Sequence, residues 1–197
     1  MAKFEQVQAL TFDLFGTVLD LGGSLTPFID KMLQEKGSET TGEQFWQQWR
    51  YRQRLEQFQD TIMMLGHGGY LETVRRGFVY VLALNKIEMS ADEVKTFLEC
   101  WQELSPFPEV LAGFEKLATR YKLVGLSNGD PAFLEHLAKN RIQWDFHDVI
   151  SVTTMGAFKP HPSVYRRAAL ILGLEVGECM MISANSFDVV GARACGL

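Results

Sequence analysis

Four short apolar runs separated by helical stretches, and one long helical segment interrupting them, predict an α/β chain. The expected architecture is a Rossmann-like, doubly wound parallel sheet with a helical unit inserted after its first strand. The strand-like runs are Gln8–Phe12, Tyr121–Leu126, His147–Val152 and Cys179–Ser183. After Leu123 strands and helical patterns alternate, as in βαβ units. Residues 22–104 read as helix nearly throughout, so residues 1–21 and 105–197 form the sheet domain and 22–104 the insertion.

The first strand carries Ala9-Leu10-Thr11-Phe12 and ends at Asp13, with Gly16 and Thr17 turning the backbone directly afterwards. In the insertion, Thr41 with Gln44 and Ser90 with Glu93 have the spacing of capping boxes. Phe45, Trp49, Phe58 and Ile62 recur at helical spacing, as do Phe97 and Trp101, and read as core. Gly66-His67-Gly68-Gly69 reads as a loop between helices. Downstream, Asp130 followed by Pro131 predicts a helix start, with the aspartate as N-cap. Another helix is expected from Pro162 to a stop at Gly173. The chain stops at Leu197 after a helical stretch, which predicts a sheet incomplete at its C-terminal edge.

Composition narrows the function classes. A hydrophobic share of 47% and a charged share of 22% are those of an ordinary globular protein. A net charge of −5 disfavours nucleic acid or a membrane surface as partner. Cys100, Cys179 and Cys195 lack metal-ligand spacing and read as buried free thiols. The polar start does not resemble a signal peptide, and no apolar run is long enough for a membrane span, so a cytoplasmic location is expected.

Four polar segments are expected to meet at the carboxyl ends of the strands, where open α/β sheets hold their ligands. They are Asp13 with Gly16 and Thr17; Ser127-Asn128-Gly129; Lys159-Pro160; and Ser183-Ala184-Asn185-Ser186-Phe187-Asp188. Singly each has a plain structural reading, as a turn, a solvated loop or a helix cap. In this order, and each after a strand, they resemble the haloacid dehalogenase superfamily over nearly the whole chain. The resemblance makes Asp13 the nucleophile and Ser127, Lys159 and Asp188 the markers of the second, third and fourth motifs. The helical insertion then corresponds to that family's cap domain.

Most members that share this pattern are magnesium-dependent phosphatases. Those have a second aspartate two residues after the nucleophile and another acid four before the last aspartate; here the positions hold Phe15 and Ala184. Phe15 cannot exchange a proton, and Ala184 removes an oxygen ligand that magnesium requires. The pattern instead resembles the L-2-haloacid dehalogenase branch. It shares the aromatic at Phe15, Ser-Asn-Gly, Lys-Pro with Tyr165 six residues after the lysine, Ser183-x-Asn185-x-Phe187-Asp188, and the pair Trp49-Arg50.

The resemblance implies hydrolysis of short-chain 2-haloacids to 2-hydroxy acids through an aspartyl ester, with no cofactor or metal. Lys159 would balance the charge of Asp13. Thr17 and Ser127 would hold its carboxylate oxygens, and Asp188, Ser183 and Asn185 would order the lysine and the hydrolytic water. Arg50, Asn128 and Phe187 would cradle the halide, although Arg52 and Arg54 lie close enough to replace Arg50. Backbone N–H groups near Leu14 and Phe15 and after Ser127 would take the substrate carboxylate, with Tyr165 counted among the substrate-facing residues. Partners are the small haloacid and halide, and the relatives' homodimers set the expectation for assembly. Departures are His161, where the family places an acid or asparagine and which reads as a solvated loop residue, and Phe15 and Phe187, often Tyr and Trp. A magnesium-dependent phosphatase and a catalytically silent carboxylate-binding relative are the competing readings.

Overall fold

The computed structural model describes residues 4–197. Its main sheet is built from β1 (Ala9–Phe12), β4 (Lys122–Ser127), β5 (Asp148–Ser151) and β6 (Cys179–Ile182), all parallel, in the order β5-β4-β1-β6. β1 is interior and buried on both faces, as an internal parallel strand must be, and its one polar side chain, Thr11, donates to the Met180 carbonyl at 3.2 Å. The chain moves from β1 outward through β4 to β5, then returns to β6 on the other side of β1. That reversal opens a crevice at the carboxyl end of β1, directly beyond Phe12.

Two residues on each side of the long helical segment pair as a small antiparallel ladder, β2 (Leu19–Asp20) with β3 (Ser105–Pro106). This pairing sets the departure and return of the segment side by side. Between them run α1 (Leu21–Glu35), α2 (Gly42–Ile62), α3 (Tyr70–Leu84) and α4 (Ala91–Leu98). Both capping boxes are formed: Thr41 with Gln44 starts α2, and Ser90 with Glu93 starts α4. Phe45, Trp49, Phe78 and Trp101 are fully buried in an aromatic cluster, in which the Trp49 ring lies 4.7 Å from Phe78 and 5.8 Å from Trp101. Trp49 Nε1 donates to the Val74 carbonyl at 2.9 Å, so this tryptophan also ties α2 to α3 through its polar edge.

The sheet is covered by α5 (Val110–Ala118), α6 (Pro131–His136), α7 (Pro162–Ile171) and α8 (Ser186–Cys195). A π-helical turn, Leu137–Ile142, prolongs α6. Gly173 ends the α7 region in the left-handed conformation expected of it.

Three local expectations are corrected. Asp130 occupies the N-cap position of α6, but its side chain makes no capping hydrogen bond; Pro131 alone sets the start. Ile62 is 78% exposed, because the final turn of α2 runs past the layer against which Phe45 and Trp49 pack. His161 is not a free loop residue: its Nδ1 accepts the Ser163 N–H at 3.2 Å and caps α7. All three cysteines are buried and free. Among the described residues no helix is long and apolar enough to cross a membrane.

Candidate active site

Asp13 follows β1, and its backbone N–H still belongs to the sheet, donating to the Ile182 carbonyl at 3.0 Å. The side chain therefore leaves a rigid strand end, 6% exposed, in the crevice. Its two oxygens are in different environments. Oδ2 accepts from Asn185 Nδ2 at 2.6 Å, Thr17 Oγ1 at 3.0 Å and Ser183 Oγ at 3.4 Å. Oδ1 accepts from Lys159 Nζ at 3.3 Å. Thr17 reaches back because Gly16 turns the chain with φ +89°, a conformation that disfavours any side chain there. The Ala184 N–H donates to Thr17 Oγ1 at 2.9 Å, linking the first motif to the loop after β6.

Lys159 is 1% exposed, and its ammonium lies between two carboxylates, Asp13 Oδ1 at 3.3 Å and Asp188 Oδ2 at 3.0 Å. A buried charge persists only when paired and hydrogen-bonded, and this one is paired twice. The Lys159 backbone N–H donates to Asn128 Oδ1 at 3.0 Å, and one N–H of Asn128 Nδ2 goes to Gln57 Oε1 at 3.1 Å. Asn128 thus connects the loop after β4 to Lys159 and to α2.

α2 closes the crevice. Arg50, Arg54 and Gln57 are spaced by four and three residues, share one helix face and line the cavity with Asp13, Lys159 and Asp188. Arg50 donates to the Phe15 carbonyl at 3.3 Å and to Gln53 Oε1 at 2.8 Å. Arg54 Nη2 donates to Asn185 Oδ1 at 2.7 Å. Burial, and then the neighbouring charge of Arg50, push the Arg54 guanidinium below its usual range. Arg52 turns away, paired with Glu56 and lying 4.3 Å above the Tyr80 ring.

Phe15 stacks on Tyr70 with ring centroids 4.1 Å apart, and Phe187 meets Phe58 edge-on at 5.3 Å. These pairs give the cavity apolar walls. Burial pushes the Tyr70 phenol up to about 12, and its hydroxyl lies beside Gln53 and Arg50 without hydrogen-bond geometry to either.

Asp13, Phe15, Arg50, Asn128, Lys159, Asn185, Phe187 and Asp188 line one cavity, and Thr17 and Ser183 hold Asp13 from behind. Leu14 has its side chain packed inward near Gly125 and offers the site only its backbone. Two assignments are corrected. Ser127 does not hold Asp13: its buried hydroxyl has no hydrogen-bond partner, and Oδ2 already accepts from three other donors. Tyr165 does not face the cavity; its hydroxyl is bound to Asp188 Oδ1 at 2.7 Å, behind the lysine. Gln57 and Tyr70 line the cavity without a counterpart among the sequence assignments, and Arg54 stands there only as an alternative to Arg50. The spacing of Arg50, Arg54 and Gln57 on one helix face carried part of that information.

A doubly wound sheet with a buried aspartate-lysine-aspartate array at its switch point, closed by inserted helices, defines a class of enzyme. The model of haloacid dehalogenase-like hydrolases matches residues 7–196, and the chain belongs to that family of hydrolases. It is 29% identical over 191 residues to the (S)-2-haloacid dehalogenase of Xanthobacter autotrophicus, covering 96% of this chain and 72% of that one. It is 27% identical to haloacetate dehalogenase H-2 of Moraxella sp. (strain B), covering 98% of this chain and 84% of the relative. The solved Xanthobacter autotrophicus L-2-haloacid dehalogenase with chloropropionic acid covalently bound superimposes with a TM-score of 0.85 at 28% identity, over 96% of this chain and 75% of that one.

Proposed function

We propose that the protein hydrolyses short-chain 2-haloacids to 2-hydroxy acids through an aspartyl ester, with inversion at C2, and that residues 22–104 act as the cap over the site. The observation that carries this reading is a complete Asp13–Lys159–Asp188 array beside Phe15 and Ala184, which supply neither a general acid nor a metal ligand. A carbon–halogen bond needs no protonation to leave, since halide departs as a stable anion. A phosphate ester would need the acid.

Asp13 Oδ1 is the attacking atom in this reading. Oδ2 has three donors and Oδ1 has Lys159 alone, so Oδ1 keeps a free lone pair. Oδ1 forms a bond to C2 of the substrate, and the C–X bond breaks with its electron pair, releasing halide. Water then adds to the Asp13 carbonyl carbon and gives up its proton to Asp188. The oxyanion that develops is Oδ2, already ringed by Asn185, Thr17 and Ser183, so no donor has to move. Collapse expels the product alkoxide, which takes the remaining proton of the added water; this restores the Asp13 carboxylate, and Asp188 passes its proton to solvent.

The test is halide release from each enantiomer of 2-chloropropionate in EDTA, comparing wild type with Asp13→Asn. The expected result is chloride from the S enantiomer only, unaffected by EDTA, and reduced by about 10⁴-fold or more in the variant. Magnesium-dependent phosphate release from a monoester, with no halide, would overturn the proposal.

A further inference from the structure

We infer that Arg54 joins the backbone N–H groups near Leu14 and Phe15 in binding the substrate carboxylate, leaving Arg50 to take the departing halide, so that the two anions of the reaction rest on separate guanidiniums. The assignment depends on the dehalogenase reading and adds a specificity residue to it.

Charge is the first ground. Asp13 and Asp188 share Lys159, and Arg50 and Arg54 line the same cavity on neutral acceptors only: the Phe15 carbonyl, Gln53 Oε1 and Asn185 Oδ1. Among the described residues neither guanidinium is paired with a carboxylate. Two carboxylates against three cations give the side chains of the site one excess positive charge. One substrate carboxylate neutralises it. The sum then stays at zero through the first step, because Asp13 loses its charge as the halide gains one.

Geometry distinguishes the two arginines. They approach the nucleophile from different sides, Arg50 over the turn after β1 and Arg54 over the loop after β6. Asn185 joins Arg54 directly to Asp13, giving to Oδ2 at 2.6 Å while accepting from Arg54 at 2.7 Å. Arg54 Nε is buried without a hydrogen-bond partner, and so is the hydroxyl of Tyr70 in the same cavity. A carboxylate is planar with two acceptors and matches the Nε–Nη edge of an arginine. A halide is a single sphere that needs only convergent points, and both terminal nitrogens of Arg50 are already committed to carbonyl oxygens.

The two roles separate kinetically. The carboxylate keeps its charge throughout the reaction, so its ligand contributes equally to ground and transition states and acts on KM. The halide acquires charge only as the bond breaks, so its ligand acts on kcat. Arg54→Gln is expected to raise KM for (S)-2-chloropropionate and (S)-2-bromopropionate alike by about 10- to 100-fold, with kcat changed less than about threefold. Arg54→Lys, which keeps the charge without the fork, should recover only part of the loss. Competitive inhibition by propionate should weaken in step with KM. Arg50→Gln should lower kcat, and more for chloride than for bromide.

An unchanged KM with a halogen-dependent fall in kcat for Arg54→Gln would overturn the assignment and exchange the two arginines. So would a wild-type preference for 2-chlorosuccinate that Arg54→Gln abolishes, since Arg54 would then serve a second carboxylate. Absence of halide release from any haloacid by wild type would instead refute the dehalogenase reading itself, and this assignment with it.

Discussion

The hydroxyl of Tyr165 donates to Oδ1 of Asp188 at 2.7 Å, between two side chains that are both fully buried. Burial, and then the negative charge of Asp188, push the phenol far above its usual range, so Tyr165 stays a donor at every working pH. The carboxylate is thereby held from both ends, Tyr165 on Oδ1 and Lys159 on Oδ2. Tyr165→Phe should leave Oδ1 buried without a donor, costing about 1–3 kcal/mol in urea unfolding. Because Tyr165 acts through Asp188 and not on substrate, kcat for halide release should fall while KM stays near the wild-type value. A fall in stability with unchanged kcat would show that the tyrosine only packs.

Lys159 is the single cation shared by two buried carboxylates, and that fixes the expected effect of its removal. Lys159→Met preserves length and apolar bulk but leaves Asp13 and Asp188 facing each other uncompensated. Breaking a buried pair by removing one partner costs about 3–5 kcal/mol. The variant should unfold at clearly lower urea concentration and release no measurable halide. The double variant Lys159→Met with Asp188→Asn should regain part of the stability without regaining activity.

The groups at the strand ends were legible in the linear sequence for a simple reason. A polar residue directly after a buried parallel strand sits at the carboxyl end of the sheet, so the places of Asp13, Asn128 and the Ser183–Asp188 loop follow from strand assignment alone. The helical insertion was different. Residues 50, 52 and 54 are all arginines on α2, and which of them faces the core depends on how the helix docks, which no local pattern states. Arg52 pairs with the buried Glu56 and lies over the Tyr80 ring, away from the cavity, whereas Arg50 and Arg54 line it. Tyr70 was hidden for the same reason: its place against Phe15 joins residues 55 positions apart. Ser127 and Tyr165 misled because a polar group near a site can serve another side chain, or none, without facing the substrate.

Gly191 lies on α8 where a methyl group would come within 2.8 Å of Pro160 Cβ and 2.9 Å of the Tyr165 hydroxyl. Neither neighbour is a flexible chain end. Gly191→Ala should therefore cost about 1–3 kcal/mol and lower kcat by displacing Tyr165 from Asp188. Gly113 on α5 is a built-in control, since a methyl there meets nothing within 4 Å. Gly113→Ala should stabilise by about 0.8–1 kcal/mol through helix propensity, leaving turnover unaltered. Chemical denaturation of the two variants should shift in opposite directions, and a common direction would contradict the packing described.

His67 joins the helical segment to the sheet. Its Nδ1 accepts the Gly69 N–H at 3.2 Å, which assigns the proton to Nε2, and Nε2 donates to the Asn128 carbonyl at 2.9 Å. The ring also lies 3.9 Å from that of Phe158, next to Lys159. Burial lowers its pKa below the ordinary 6.5, although its bond to Asn128 and the charges of Asp130 and Asp60 act the other way. Between the lowered folded value and 6.5 the unfolded chain binds more protons than the folded one. Stability from this group is thus complete above 6.5 and is lost as pH falls toward the folded value. Melting curves from pH 7.5 down to about pH 5 should show wild type losing more stability than His67→Gln, which keeps a donor without titrating. Parallel pH profiles for the two proteins would mean that the imidazole is already free to protonate in the folded state.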